Sequence, residues 1–396
     1  MKKAIILILL IFILVGCANN IQKQSEINTV VSTSTASIQE QTNSEQETTN
    51  HPTATEKYQQ AMAFIKEKHY PQAMGILRRL EDYKDSKNLL QQLRYLINGS
   101  YICNGIWLAA AITSDGRVQM SYSGNDISNF LGLKAWKDMK SISSSGGSIE
   151  GLTKEGTILT TSTETKEDFL NSTNAPTNAM ANVVESVSIW KDIISYDEYY
   201  PQTAISLAGD GSVYAAYPGY EDGTVKLNGW NDIVDVKDGR SYSVGIKSDG
   251  TVISKNYDYI GTIDTSKWNN IVAISADSAI IGLKEDGTVV STGLNDSGEG
   301  NVSDWKDIIA ISTSRFCTLG LKSDGTVVAA GQNTSGQMNI QGWKDIVAIA
   351  AGDYFSIGLK SDGTMVIAGD CSFSGVKTPD VTSMKSLYIP HISLNN

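Results

Sequence analysis

The segment WKDIIAISTSRFCTLGLKSDGTVV, which begins at Trp305, returns almost residue for residue from Trp343 as WKDIVAIAAGDYFSIGLKSDGTMV, and fainter copies run back through the chain. A unit this short cannot bury its own apolar face, so copies must stack on one another, which narrows the fold more than any other feature. Acidic residues followed by glycine mark the copies at Asp115-Gly116, Glu155-Gly156, Asp210-Gly211, Asp249-Gly250, Asp286-Gly287, Asp324-Gly325 and Asp362-Gly363, seven in all. Tryptophans precede six of these turns, at Trp136, Trp190, Trp230, Trp268, Trp305 and Trp343, and the late copies repeat every 37 to 39 residues.

Within one copy, Ile346 to Ala350 is apolar at successive positions, which a strand tolerates when both of its faces are covered. YFSIGLK and TMVIAG flank Ser361-Asp362-Gly363, the composition of a tight hairpin turn with glycine in the left-handed position. GQNTSGQMNI predicts a short fourth edge strand. Sheets that are apolar on both faces need neighbours on both sides, and seven in a row meet this need by closing into a ring. The first hairpin, IWLAAAITSDGRVQM, lacks a W-x-D-I strand upstream, and MKSLYI at Met384 to Ile389 reads as that strand orphaned at the other end. The expected fold is mainly β: a seven-bladed β-propeller over 100–396, closed by pairing of the two termini, with a small N-terminal helical segment over 55–99.

At GLKSDGTVVAAGQNTSGQ the chain is similar to the repeat of RCC1-like propellers, with the Gly-x-Asn-x-x-Gly-Gln tail as Gly331, Asn333, Gly336 and Gln337, and imperfectly as Gly293, Asn295, Gly298 and Glu299. The resemblance implies a ring that serves as a protein-binding face. The eukaryotic founder of that family binds histone surface and acts on a small GTPase, and secreted bacterial members include a β-lactamase inhibitor protein. No contact residue of either transfers to this sequence.

Ahead of the repeats, Tyr58, Ala61, Met62 and Ile65 share a helical stripe, Pro71 opens a second helix and Ser86 is placed to cap a third. The segment resembles a single tetratricopeptide-like helix pair, and one such unit implies a spacer packed on the next domain more than a binding superhelix. Residues 18–54 are Ser, Thr, Gln, Asn and Glu with few apolar side chains, a composition that reads as a polar tether. Residues 1–17 carry two lysines and an apolar run from Ala4 to Val15, enough for a signal-peptide core and too short for a permanent span. Leu14 to Cys17 resembles the lipobox of bacterial lipoproteins, which implies lipidation of Cys17 and a membrane-anchored, extracytoplasmic protein.

The net charge of −11 argues against nucleic acid as a partner. Cys103, Cys317 and Cys371 are odd in number and match no metal spacing, and His51, His69 and His391 are the only histidines, so neither a metal site, a cofactor nor a catalytic centre is expected. Function should sit where copies differ. Aligned on the turn, the loop before the second strand carries Trp107, Tyr242, Arg315, Phe316 and Tyr354, anchor types for a protein partner or a cell-envelope glycan. The same aromatics could equally wedge between blades. The repeated tryptophans, held at fixed register, read as packing residues and not as a glycan-stacking array, and the turn aspartates as turn formers without the further ligands of a calcium loop. The stretch 161–186 is an insertion, either a recognition loop or a tolerated one. Two other functions stay open: hydrolysis by loop carboxylates such as Asp197, Glu198, Glu221 and Asp222, and a spacer of the cell envelope.

Overall fold

The computed structural model describes residues 52–396, apart from 99, 125–127, 146–147, 162–189, 200–202, 217–223, 241, 258–262, 372–376, 393 and 395–396. Cys17, the polar tether up to His51, nearly all of the 161–186 insertion, and Glu221 and Asp222 lie outside the described residues.

Three helices come first: α1 (Ala54–Lys66), α2 (Tyr70–Leu80) and α3 (Ser86–Ile97). Thr53 and Glu56 form a reciprocal capping box on α1, satisfying amides that a helix start leaves open. Pro71 stands in the first turn of α2, where its missing N–H costs nothing. Ser86 is not the cap expected of it: Asp85 holds that place without a side-chain bond to the helix's own amides, and the Ser86 hydroxyl donates to the Tyr83 carbonyl at 2.6 Å. The apolar faces of α1–α3 join one core with residues such as Ile281, Trp305 and Ile308. Arg78 and Arg79 pair with Glu285 at 2.9 and 3.0 Å and tie α2 to the same region.

The rest is mainly β. Among the described residues the strands form seven small antiparallel sheets. The first holds β1 (Ile102–Asn104), β2 (Leu108–Ile112) and β3 (Val118–Tyr122); the second β4 (Met139–Ser145), β5 (Ser148–Thr153) and β6 (Ile158–Thr160). The third has four strands, β7 (Ile193–Tyr199), β8 (Thr203–Ala208), β9 (Val213–Ala216) and β10 (Thr224–Lys226). Then come β11 (Ile233–Gly239), β12 (Tyr242–Lys247) and β13 (Val252–Asn256); β14 (Ile271–Ala276), β15 (Ala279–Lys284) and β16 (Val289–Gly293); β17 (Ile308–Thr313), β18 (Cys317–Lys322) and β19 (Val327–Gly331); and β20 (Ile346–Ala350), β21 (Phe355–Lys360) and β22 (Met365–Gly369). Each core cluster joins neighbouring sheets: Leu108 and Ile112 of the first pack with Trp136, Met139 and Ile142 of the second.

Local chemistry explains the repeated letters. In the turn after β21, Gly363 has φ 81° and its amide donates to the Lys360 carbonyl at 3.0 Å, a left-handed position that disfavours any side chain. Asp362 Oδ1 accepts from the amide and hydroxyl of Thr364 at 2.9 and 2.6 Å. The acidic or amide residue after Trp-Lys or Trp-Asn also has positive φ: Asp138, Asp192, Asp232, Asn270, Asp307 and Asp345 lie between 55° and 60°. Asp and Asn tolerate that region better than most residues, so the backbone dictates the motif. The indoles are structural as well. A Cβ placed on Gly320 would sit 2.7 Å from Trp305 Cζ3, and one on Gly358 2.9 Å from Trp343 Cζ3; Trp136, Trp230 and Trp268 likewise pack on Gly151, Gly245 and Gly282 of their own sheets' middle strands, whereas the strand beside Trp190 carries Ser206 there.

Two expectations need correction. GQNTSGQMNI forms no fourth strand. Asn333 Oδ1 takes the Met338 amide at 2.8 Å and Gln337 Oε1 the Ser335 amide at 2.9 Å, and these side-chain bonds replace strand pairing. The first sheet, moreover, does not lack its leading strand, since β1 supplies one, a piece too short to show in the sequence. The C-terminal segment bonds beside it: Leu387 bridges to Thr113, the Tyr388 amide donates to the Ile112 carbonyl at 2.8 Å and the Ser114 amide to the Ser386 carbonyl at 2.8 Å. Ser386 has φ 54°, the value its Asp counterparts hold in the other copies.

Candidate functional site

The leading strands β1, β4, β7, β11, β14, β17 and β20 all contribute to the lining of one cavity of about 330 Å³. Equivalent positions along them are joined sheet to sheet. Asp197 Oδ2 accepts the Asp238 amide, Ser275 Oγ the Thr313 amide and Ser312 Oγ the Ala351 amide, each at 2.9 Å. From the pairing registers, Asp197, Ser275 and Ser312 occupy one repeat position and Asp238, Thr313 and Ala351 the next. Asp197 therefore repeats a stitch that serine makes elsewhere, with a charge added.

That added charge sets the electrostatics. Asp197, Glu198, Asp238, Asp277 and Asp353 line the cavity against one lysine, Lys237, whose Nζ is 3.9 Å from Asp197 Oδ1. Burial pushes Glu198 up to about 7, against the pull of its hydrogen bond from the Tyr196 hydroxyl. Burial, then the charge of Asp353, pushes Asp277 up to about 7. Burial raises Asp197 and Asp353 too, opposed by Lys237 and by the Arg315 amide respectively. Asp238 is buried, bonded to the Ser243 hydroxyl through Oδ1 at 2.6 Å, and its Oδ2 has no hydrogen-bond partner among the described residues. Among the described residues no group of three or more His, Cys, Asp or Glu is arranged to hold a metal ion.

Asp197 and Glu198 stand on β7, not in loops as the hydrolytic reading supposed: a tyrosine and an apolar flank extend the strand through them. Asp197 is bound up in an inter-sheet bond and Glu198 in one to Tyr196. Cys103, Cys317 and Cys371 are buried, and burial pushes the Cys317 thiol up to about 11.

The loops beyond the leading strands carry the variable residues singled out in the sequence. Arg315 is exposed, its guanidinium 5.0 Å from the centre of the half-buried Phe316 ring, and its amide donates to Asp353 Oδ1 at 3.2 Å. Tyr354 is half-buried against the core that includes Phe355. Asn104 Nδ2, at the end of β1, donates to the Phe355 carbonyl at 2.7 Å, and Trp107, half-buried, lies in the loop that follows β1. Arg315, Phe316, Tyr354 and Trp107 thus come from three loops joined by hydrogen bonds. Tyr242 does not belong with them. It is 4% exposed and its hydroxyl donates to the Asp277 carbonyl, so it bridges two sheets and offers no accessible anchor. Sequence reasoning named Asp197 and Glu198 but missed Asp238, Asp277 and Asp353 and the cavity that gathers them, although a signal exists: where three later copies read Ser275-Ala276, Ser312-Thr313 and Ala350-Ala351, earlier ones read Asp197-Glu198 and Lys237-Asp238.

No protein-family model matches the chain, and no curated protein matches it. Solved structures do. Prp20p of Saccharomyces cerevisiae, studied for its binding to Gsp1p and histones, aligns with TM-score 0.51 at 13% identity over 75% of this chain and 90% of its own. The CRINKLY WD40 ectodomain of the Arabidopsis thaliana receptor kinase ACR4 aligns with TM-score 0.52 at 15% identity, over 73% and 99%. The fold is like that of these propeller structures. At such identities the likeness extends to the fold alone.

Proposed function

We propose that this chain is a binding module: a closed, seven-bladed propeller that presents its loop face to a protein partner, held at the outer side of a bacterial membrane by lipid on Cys17. Closure is supported by the shared cavity lining and by the C-terminal segment, which bonds to the first sheet beside β1. Anchoring rests on the lipobox-like Leu14 to Cys17.

The observation that carries the binding reading is the grouping of Trp107, Phe316 and Tyr354, each half-buried, with exposed Arg315, beside a carboxylate-lined cavity. Aromatic and arginine side chains supply most of the affinity at protein interfaces, and a surplus of carboxylates suits a partner that offers basic side chains. Prp20p, of like fold, binds Gsp1p and histones, which supports a protein ligand as the class.

The test is recovery of envelope proteins by the full chain, compared with Trp107→Ala/Phe316→Ala/Tyr354→Ala after matched melting curves confirm that both are folded. The reading predicts proteins held by the parent in a salt-sensitive way and lost from the triple variant. An identical set from both would overturn it.

A further inference from the structure

A second and larger cavity, of about 960 Å³, lies between α2 and α3 on one side and the second to fifth sheets on the other. Asn98, Ser100 and Lys237 line both cavities and form the partition between them. Its volume falls in the range of small-molecule sites, and its wall is amphipathic, with Leu77, Leu90, Leu152 and Ile194 among charged groups. Ile194 is 36% exposed, one of the few large apolar side chains so open.

The charges of this cavity are nearly all matched. Glu285 takes Arg78 and Arg79, Asp82 takes Lys87, and Lys237 faces Asp197. Asp235 accepts from Asn98 Nδ2 at 2.8 Å and from Ser195 Oγ at 2.6 Å. Apart from the solvent-exposed Glu81, Arg94 is the exception among the described residues. Its side chain is half-buried and, among the described residues, makes neither a hydrogen bond nor an ion pair. Burial works against its charge, and the more distant Asp235 offsets this only in part. A guanidinium withdrawn from water is ordinarily paired, because leaving its donors empty is costly.

We propose that the cavity between helices and sheets binds a small organic monoanion, a carboxylate on an apolar body, with Arg94 holding the carboxylate and Leu77, Leu90, Leu152 and Ile194 covering the rest. One planar guanidinium matches one carboxylate through two parallel bonds, whereas a phosphate dianion would call for more cations than the one left unpaired. This site is separate from the loop face, and the assignment does not depend on a protein partner.

The test is calorimetric titration of the full chain with 4-phenylbutanoate and with its uncharged counterpart 4-phenylbutan-1-ol. The acid should bind at one per chain and the alcohol about tenfold more weakly or worse. Arg94→Gln should bring the acid down to the alcohol's level and raise the melting midpoint of the ligand-free protein, because an unpaired charge has been removed. Arg94→Lys, which keeps the charge and loses the fork, should retain a reduced preference for the acid. Equal binding of acid and alcohol by the parent, no binding of either up to about 10 mM, or an acid preference that survives Arg94→Gln would overturn the assignment. A lower melting midpoint in Arg94→Gln with unchanged binding would make Arg94 a packing residue and overturn it too.

Discussion

The side chain of Asn104 donates to the carbonyl of Phe355 across 251 positions of sequence, at 2.7 Å, and so joins the first sheet to the last. At three other seams a side-chain oxygen of one sheet accepts from an amide of the next or of the loop that follows its leading strand. Such bonds connect elements that apolar packing alone would leave free to slide.

Ser312→Ala tests that role. The change deletes the acceptor of the Ala351 amide, which is otherwise enclosed, and an orphaned buried donor costs about 1–3 kcal/mol. Chemical denaturation should show a loss in this range, with a further drop in amide protection at Ala351. Wild-type stability in Ser312→Ala would remove the bond from the account.

Gly320→Ala tests the glycine beneath each indole. The added methyl would lie 2.7 Å from Trp305 Cζ3, and overpacking of this kind costs about 1–3 kcal/mol. The first sheet holds the alternative pairing, Ala111 packed in one cluster with Met384 where five other copies have glycine and tryptophan. Trp305→Met should therefore cost less in the Gly320→Ala background than alone, a coupling of about 1 kcal/mol in a double-mutant cycle. Additive losses would contradict the slot.

Glu198 and Asp277 make stability depend on pH. Both are pushed up to about 7 in the folded protein, mainly by burial, from ordinary values of 4.5 and 3.8. Between about pH 4 and 7 the folded state binds more protons than the unfolded one, so stability falls as pH rises through this window. The denaturation midpoint should be lower at pH 8 than at pH 5, and Glu198→Gln/Asp277→Asn should shrink the difference. Turn aspartates such as Asp324 and Asp362, held below their ordinary value by bonds from Thr326 and Thr364, act in the opposite sense at more acidic pH. A midpoint that climbs from pH 5 to pH 8 would contradict the burial of these carboxylates.

Much of this was legible in the sequence because the repeat prints the same physical demand several times. The hairpin glycines and the tryptophan slot follow from comparing copies. What stayed hidden lies where one copy departs from the rest. Tyr101 to Asn104 is too short for a periodic signal, and Tyr242 sits in a loop column that looks exposed but turns inward onto the Asp277 carbonyl. Arg94 reads as an ordinary helical arginine, and its lack of a partner is a property of the packed helices and sheets that no local pattern carries.

The loop face exists as one surface only if the ring is closed, and hydrogen exchange at the Tyr388 and Ser114 amides tests closure most directly. Tyr388 donates to Ile112 and Ser114 to Ser386, the two bonds that bind the chain's end into its first sheet. The account predicts that these amides exchange as slowly as those of strands within the other sheets. Exchange at the rate of free chain, with the remaining sheets still protected, would mean an open array and would contradict the shared face.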